Sequence, residues 1–192
     1  MPAPVGVAAI QGDYAKHIES LLRCDRSLDV HEVRTPEDLD GVDRLILPGG
    51  ESTTVGKLME RFGLGAAIQT RVQSGMPIWG TCMGMILLAS DVEGSSQYAL
   101  NLLDITVRRN AFGAQVHSFE DSVKVEGMGE VTGVFIRAPI VTRCGPGVQA
   151  IAHYGDAIVA VRQGNRLGTS FHPELTEDTR MHEYFLQLPT SP

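Results

Sequence analysis

Three short segments carry side chains that could do chemistry together. Gly80-Thr81-Cys82-Met83-Gly84 sets a cysteine between glycines two positions before and two after it. A nucleophile on a sharp strand-to-helix turn has strained backbone angles, so its flanks must be small. The helix that follows would aim unpaired N–H groups at the sulfur and favour the thiolate. Taken alone, the segment also fits a small buried cysteine beside turn glycines. Ser170-Phe171-His172-Pro173-Glu174 supplies the second part. Pro173 disfavours helical geometry at His172, and in an extended chain residues two apart share a side, which lets Glu174 reach the His172 ring. A carboxylate on one ring nitrogen fixes the tautomer and frees the other nitrogen for a thiol. A surface His–Glu pair near a helix start is the plainer alternative. Leu47-Pro48-Gly49-Gly50-Glu51-Ser52-Thr53 is the third. Its diglycine can turn backbone N–H groups of Gly49 and Gly50 toward an oxyanion, and Ser52 or Thr53 can cap the next helix. Together the segments offer Cys82 as nucleophile, His172 as base and Glu174 as orienting acid, a set that only the fold can bring together.

The elements that must position them alternate in the first half. Val5–Ile10 reads as a buried strand, and Asp13 can cap a helix that buries Ile18, Leu21 and Leu22. Leu28–Val33 is a second strand, Thr35-Pro36 a helix start, and Leu45–Leu47 a third strand ended by Pro48-Gly49-Gly50. Val55, Leu58, Met59 and Phe62 recur at helical spacing up to Gly63, and a helix from Leu64 to Ser74 leads to the strand Pro77–Trp79. Met85–Ala89 then reads as a buried helix. From about Leu102 the pattern changes to strands: Ile105–Arg108, Ser122–Val125, Val131–Ile136, Gln149–Ala152, Ile158–Val161 and Leu167–Phe171, with Glu177 to Leu188 as a closing helix. The expected fold is α/β: a flavodoxin-like, mostly parallel central sheet flanked by helices, with additional antiparallel strands in the second half. Both the third segment and Cys82 would lie at carboxyl ends of strands, where open α/β sheets bind ligands. One domain spanning residues 1–192 is expected.

Composition narrows the partners. The net charge is −7, from 16 basic and 23 acidic residues, and no basic cluster is present to neutralise phosphates, which argues against nucleic acid. The apolar stretch Val5–Ile10 is too short for a signal peptide or membrane span. Cys24, Cys82 and Cys144 are odd in number and lack CxxC spacing, which argues against a disulfide framework and against a metal site and points to the cytoplasm. His17, His31, His117, His153 and His182 lack a Pro-Glu context and metal-like spacing, so ordinary surface or core roles are expected. Trp79, Met83 and Met85 should pack around the turn at Cys82 rather than bind a cofactor, and Cys24 and Cys144 are read as non-catalytic.

Beyond the three segments, Gln11-Gly12, Arg109-Asn110-Ala111-Phe112-Gly113 and Gly133-Val134-Phe135-Ile136-Arg137-Ala138-Pro139 extend the pattern. From about Val5 to Leu188 the chain resembles class I, triad-type glutamine amidotransferases, and within them the glutaminase subunits of pyridoxal 5′-phosphate synthase. The resemblance implies Cys82, His172 and Glu174 as the triad, glutamine-binding positions at Gly50, Glu51, Ser52, Arg109, Ile136 and Arg137, and an oxyanion donor at the Met83 N–H. It implies L-glutamine as substrate, no cofactor, a barrel-shaped synthase subunit as partner, and low activity until docking completes the oxyanion hole. Met83, Ala114 and His117 depart from the residues commonly found there. The last two bear on the pocket rim or partner contacts and leave the triad alone. A related free-standing thiol hydrolase and a catalytically silent interaction subunit are the rival readings.

Overall fold

The computed structural model describes residues 4–112 and 118–190. The sequence departures at Ala114 and His117, and Gly113 of the quoted motif, lie outside the described residues. Strand β1 (Val5–Ala8) is buried throughout because the sheet is covered on both faces there. It pairs in parallel with β2 (Val30–Val33) on one side and β3 (Arg44–Leu47) on the other. β3 pairs in parallel with β4 (Ile78–Thr81), which pairs in parallel with β12 (Arg166–Thr169). Beyond β12 the ladder turns antiparallel through β11 (Ala157–Gln163), β10 (Gln149–Tyr154), β7 (Ser118–Val125) and β8 (Gly129–Ile136). The expected mixture of a parallel core with antiparallel strands from the second half is therefore present. β12 is the strand at which one regime gives way to the other.

Two short strands went unread in the sequence. β5 (Ala89–Val92) pairs in parallel with β6 (Leu103–Arg108), which pairs antiparallel with β9 (Ile140–Cys144). Only one or two residues of each short strand are buried, too few for alternation to stand out.

Helices α1 (Tyr14–Cys24), α2 (Ser52–Arg61), α3 (Leu64–Gln73), α4 (Met83–Leu88) and α5 (Arg180–Leu186) flank the sheet. Two apolar clusters separate across it, one gathering α2, α3 and α4, the other Trp79, Phe135, Phe171 and Phe185. The first helix buries His17, Ser20 and Leu21, whereas Leu22 is exposed and Ile18 only half-buried. The expected cap at Asp13 forms no side-chain hydrogen bond to the helix. Thr35-Pro36 opens only a 3-10 turn, Glu37–Gly41, because the Asp38 carboxylate accepts hydrogen bonds from the Arg34 and Thr35 N–H groups and ties the chain locally. The closing helix starts at Arg180 rather than Glu177. Thr176 and Asp178 side chains accept from backbone N–H groups two residues on, which holds the preceding stretch in turns. Among the described residues no helix is long and apolar enough to cross a membrane.

Candidate active site

Cys82 sits between β4 and α4 with φ 50° and ψ −104°, a region that a residue with a side chain enters only when its surroundings force it. Three features force it here. The Cys82 N–H donates to the Thr169 carbonyl oxygen at 2.7 Å, tying the turn to β12. A Cβ on Gly84 would collide with the Leu47 carbonyl oxygen, and one on Gly80 with the backbone of Gly84. Both glycines of the segment are thus required by close approach, as the nucleophile-turn reading expects. Trp79, Met83 and Met85 are buried around the turn. The sulfur is 3.8 Å from the Ile136 carbonyl oxygen.

His172 and Glu174 meet, though not by the route the sequence suggested. The strand stops at Thr169, and Pro173–Leu175 forms a 3-10 turn. Glu174 therefore reaches His172 around a turn rather than along an extended strand. Glu174 Oε1 lies 2.6 Å from His172 Nδ1, with the Glu174 side chain wholly buried. The His172 N–H donates to the Val134 carbonyl oxygen at 2.8 Å, which fixes His172 to β8. Burial alone would lower the His172 pKa, yet Cys82 and Glu174 push it up to about 10. Burial pushes the Glu174 carboxyl up, but His17 and then His172 outweigh it and hold it below the usual carboxylate range. The arrangement keeps an imidazolium against a buried carboxylate, beside a thiol.

A pocket opens above the sulfur. Gly50, Glu51, Ser52, Arg109, Ile136 and Arg137, all six positions named for glutamine, line it together with Cys82, Met83, Ile86 and Asn110. Gly49 lies behind this lining, and a Cβ there would come within 2.5 Å of His172 Cε1. Arg137 has φ 44° at the end of β8, so its backbone, as well as its side chain, shapes the wall. Met83 is the first residue of α4, where the N–H has no intrahelical partner.

Glu51, not Ser52 or Thr53, caps α2. Its carboxylate accepts from Thr54 N at 2.7 Å and Thr53 N at 3.0 Å, and these bonds, Thr54 first, bring its pKa down to about 2. Ser52 instead donates to Gln97 Oε1 at 3.2 Å, and Arg109 donates to the same oxygen at 3.0 Å. Arg109 Nη2 is 3.9 Å from Glu51 Oε1. Gln97 was not singled out from the sequence, and nothing in its context marks it. Ile86 and Asn110 were also missed as lining residues. His17 and His182 were assigned ordinary roles, yet His17 Nε2 lies 3.4 Å from Glu174 Oε2 and its other ring nitrogen 3.0 Å from His182 Nε2. Their signal was present: each is a histidine on the buried face of an amphipathic helix, at spacing i to i+3 or i+4 from buried apolar residues.

A curled mixed sheet flanked by helices, with a cysteine on a forced strand-to-helix turn, is the architecture of the class I glutamine amidotransferases. Residues 7–190 match the SNO glutamine amidotransferase family, and the chain belongs to that family. It is 52% identical over 190 residues to pyridoxal 5′-phosphate synthase subunit PdxT of Thermus thermophilus, with 98% of each chain covered. The PdxT subunit of Herpetosiphon aurantiacus is 54% identical over 190 residues, covering 96% of this chain and 99% of that one. A crystal structure of a glutamine amidotransferase superposes with a TM-score of 0.91 at 50% identity, covering 96% of this chain and 97% of that one. The PurLQS structure from Thermotoga maritima, at 17% identity and a TM-score of 0.75 over 97% of this chain and 98% of that one, shares the fold.

Proposed function

We propose that this chain is the glutaminase subunit of a pyridoxal 5′-phosphate synthase, releasing ammonia from L-glutamine through Cys82, His172 and Glu174. The observation that carries the residue assignment is the buried 2.6 Å contact between His172 and Glu174 beside a cysteine in a forced turn at the floor of a pocket. The PdxT relatives, about half identical over nearly the whole chain, support the pathway.

In this reading the Cys82 thiolate attacks the side-chain amide carbon of glutamine, and the oxyanion that forms is met by N–H groups of Gly49, Gly50 and Met83. One such donor is worth about 3 kcal/mol of barrier. His172 gives its proton to the leaving nitrogen, the C–N bond breaks, ammonia departs and a glutamyl thioester remains. His172, now neutral, takes a proton from water, whose oxygen attacks the thioester. Glutamate leaves and Cys82 is regenerated. Arg109 suits the carboxylate end of the substrate, since a guanidinium fork matches a carboxylate. Glu51, its carboxylate engaged by α2 and its N–H by Gln11 Oε1, holds the loop in place rather than supplying charge to the substrate. Gly50, Ser52, Ile136 and Arg137 complete the wall.

Ammonia released into neutral water would be protonated and lose nucleophilicity, so a biosynthetic glutaminase works docked to its acceptor. The partner is the synthase subunit that builds pyridoxal 5′-phosphate, the setting is the cytoplasm, and residues 1–192 act as one glutaminase domain. Neither a metal nor a cofactor enters this chemistry. The test is glutamate release from free glutamine by wild type and Cys82→Ala, with and without the synthase subunit. Release that depends on the partner and vanishes in the variant is the expected result. Equal release from both proteins would refute Cys82 as nucleophile, and none under any condition would refute the glutaminase.

A further inference from the structure

Behind the His172–Glu174 pair lies a buried polar chain for which the reaction as written has no use. His17 on α1 and His182 on α5 are both fully buried. His17 Nδ1 is 3.0 Å from His182 Nε2, and His17 Nε2 is 3.2 Å from Thr81 Oγ1 and 3.4 Å from Glu174 Oε2. Trp79 meets both rings edge-on, with centroids 5.7 Å from His17 and 5.0 Å from His182. Glu174 Oε2 is the oxygen that His172 does not use, and it has no well-aligned hydrogen bond among the described residues. A buried carboxylate oxygen without a partner costs stability, so the group that faces it bears on how the carboxylate is held.

The proton positions follow from which arrangement strands the fewest buried groups. Between the two histidines one ring must donate and the other accept. Suppose His17 Nδ1 donated. Its Nε2 lone pair would then face a carboxylate, and neutral His182 would carry an N–H on Nδ1, which has no partner among the described residues. With His182 Nε2 donating instead, the His17 proton sits on Nε2 and faces Glu174 Oε2 and Thr81 Oγ1. The unpaired atom is then a lone pair on His182 Nδ1, with no N–H left stranded. The second arrangement leaves less unsatisfied.

We infer that His17, locked as the neutral Nε2–H tautomer by His182, is a positioning residue that holds the second oxygen of Glu174 so that the first stays on His172. The inference rests on the triad reading above. Burial keeps the two rings neutral: it lowers the His17 pKa, and burial followed by the neighbouring His17 pushes His182 down to about 3. His182, Glu174, His172 and Asp13 are the charged or titratable groups that face His17, while His182 also feels Glu174 and Arg23. A neutral ring whose N–H faces Oε2 at 3.4 Å still favours the ionised carboxylate, because the N–H dipole points at the developing charge. Without it Glu174 takes up a proton at higher pH, and a neutral Glu174 no longer fixes the imidazolium.

The test has two arms on the full chain. Nitrogen NMR of the histidine rings in the wild-type protein reads the tautomer directly, with no need for glutamine turnover. A proton on His17 Nε2 is expected, and one on Nδ1 would overturn the inference whatever the enzyme does. In the complex with the synthase subunit, His17→Leu should lower kcat about tenfold, with KM within about twofold. The acid limb of its pH profile should move up by about one unit. His17→Gln, which can place an N–H near the same point, should restore the limb toward wild type. Activity lost with the limb unmoved, or Gln no better than Leu, would reduce His17 to packing. Should His17→Leu not fold, the wild-type tautomer and the His17→Gln profile decide. Absence of glutaminase activity in the wild type would instead strike the triad reading and leave the tautomer result standing.

Discussion

The floor and the rim of the pocket are built in opposite ways. At the floor, Cys82 and His172 are tied through their own backbone N–H groups to Thr169 and Val134, and the Glu174 side chain is wholly buried. At the rim, Arg109 is held by side chains alone, Gln97 at 3.0 Å and Glu51 at 3.9 Å, and Arg109 and Glu51 are 35% and 46% exposed. Backbone ties cannot be lost to a rotamer change, whereas exposed side-chain pairs hold little energy each and are screened by salt. The groups that would make and break bonds are therefore fixed, and those that would hold the substrate's charged end can adjust.

Three changes would break or sharpen that contrast. The largest effect belongs to the floor. Glu174→Gln keeps the shape but cannot hold the imidazolium, so kcat for glutamate release should fall about 10³- to 10⁴-fold with little change in KM. A fall of less than tenfold would mean that the buried pair is structural. At the rim, Arg109→Ala should raise KM for glutamine about tenfold to a hundredfold and leave kcat within about twofold. A loss confined to kcat would move Arg109 to the floor. The smallest effect concerns Glu51. Its carboxyl sits at about 2 in the folded protein against an ordinary 4.5, so it adds stability at pH values above 4.5 that is lost as pH falls toward 2. Urea unfolding at pH 5 and at pH 3 should show wild type losing more stability than Glu51→Gln, by about 1 kcal/mol or less because the group is half exposed. Equal losses would show that the charge on the cap contributes nothing.

The same contrast marks what the sequence disclosed. Elements of the parallel half were legible because buried strands and amphipathic helices alternate there, and Gly80 and Gly84 announced the forced turn two residues either side of Cys82. His172 and Glu174 were legible as neighbours in sequence, although the 3-10 turn that joins them was not. Long-range partners stayed hidden. His17 meets Glu174 and His182 across more than 150 residues, and the cap on α2 proved to be a glutamate one position earlier, whose carboxylate accepts from the Thr53 and Thr54 N–H groups. Strands β5 and β9 hid because short strands with one or two buried residues leave no period to detect.

The place of β12 has a consequence for how the molecule is made. Its parallel neighbour β4 lies 88 residues earlier in the chain, and its registry with β4 sets Thr169 beside Thr81. Synthesis runs from the amino terminus, so the cysteine leaves the ribosome long before the strand that anchors it and the histidine and glutamate that follow. Pairings across such a separation form late because the intervening loop must first be closed at an entropic cost. Until then Cys82 stands apart from His172 and Glu174, so under the proposed triad the nascent chain leaves glutamine intact.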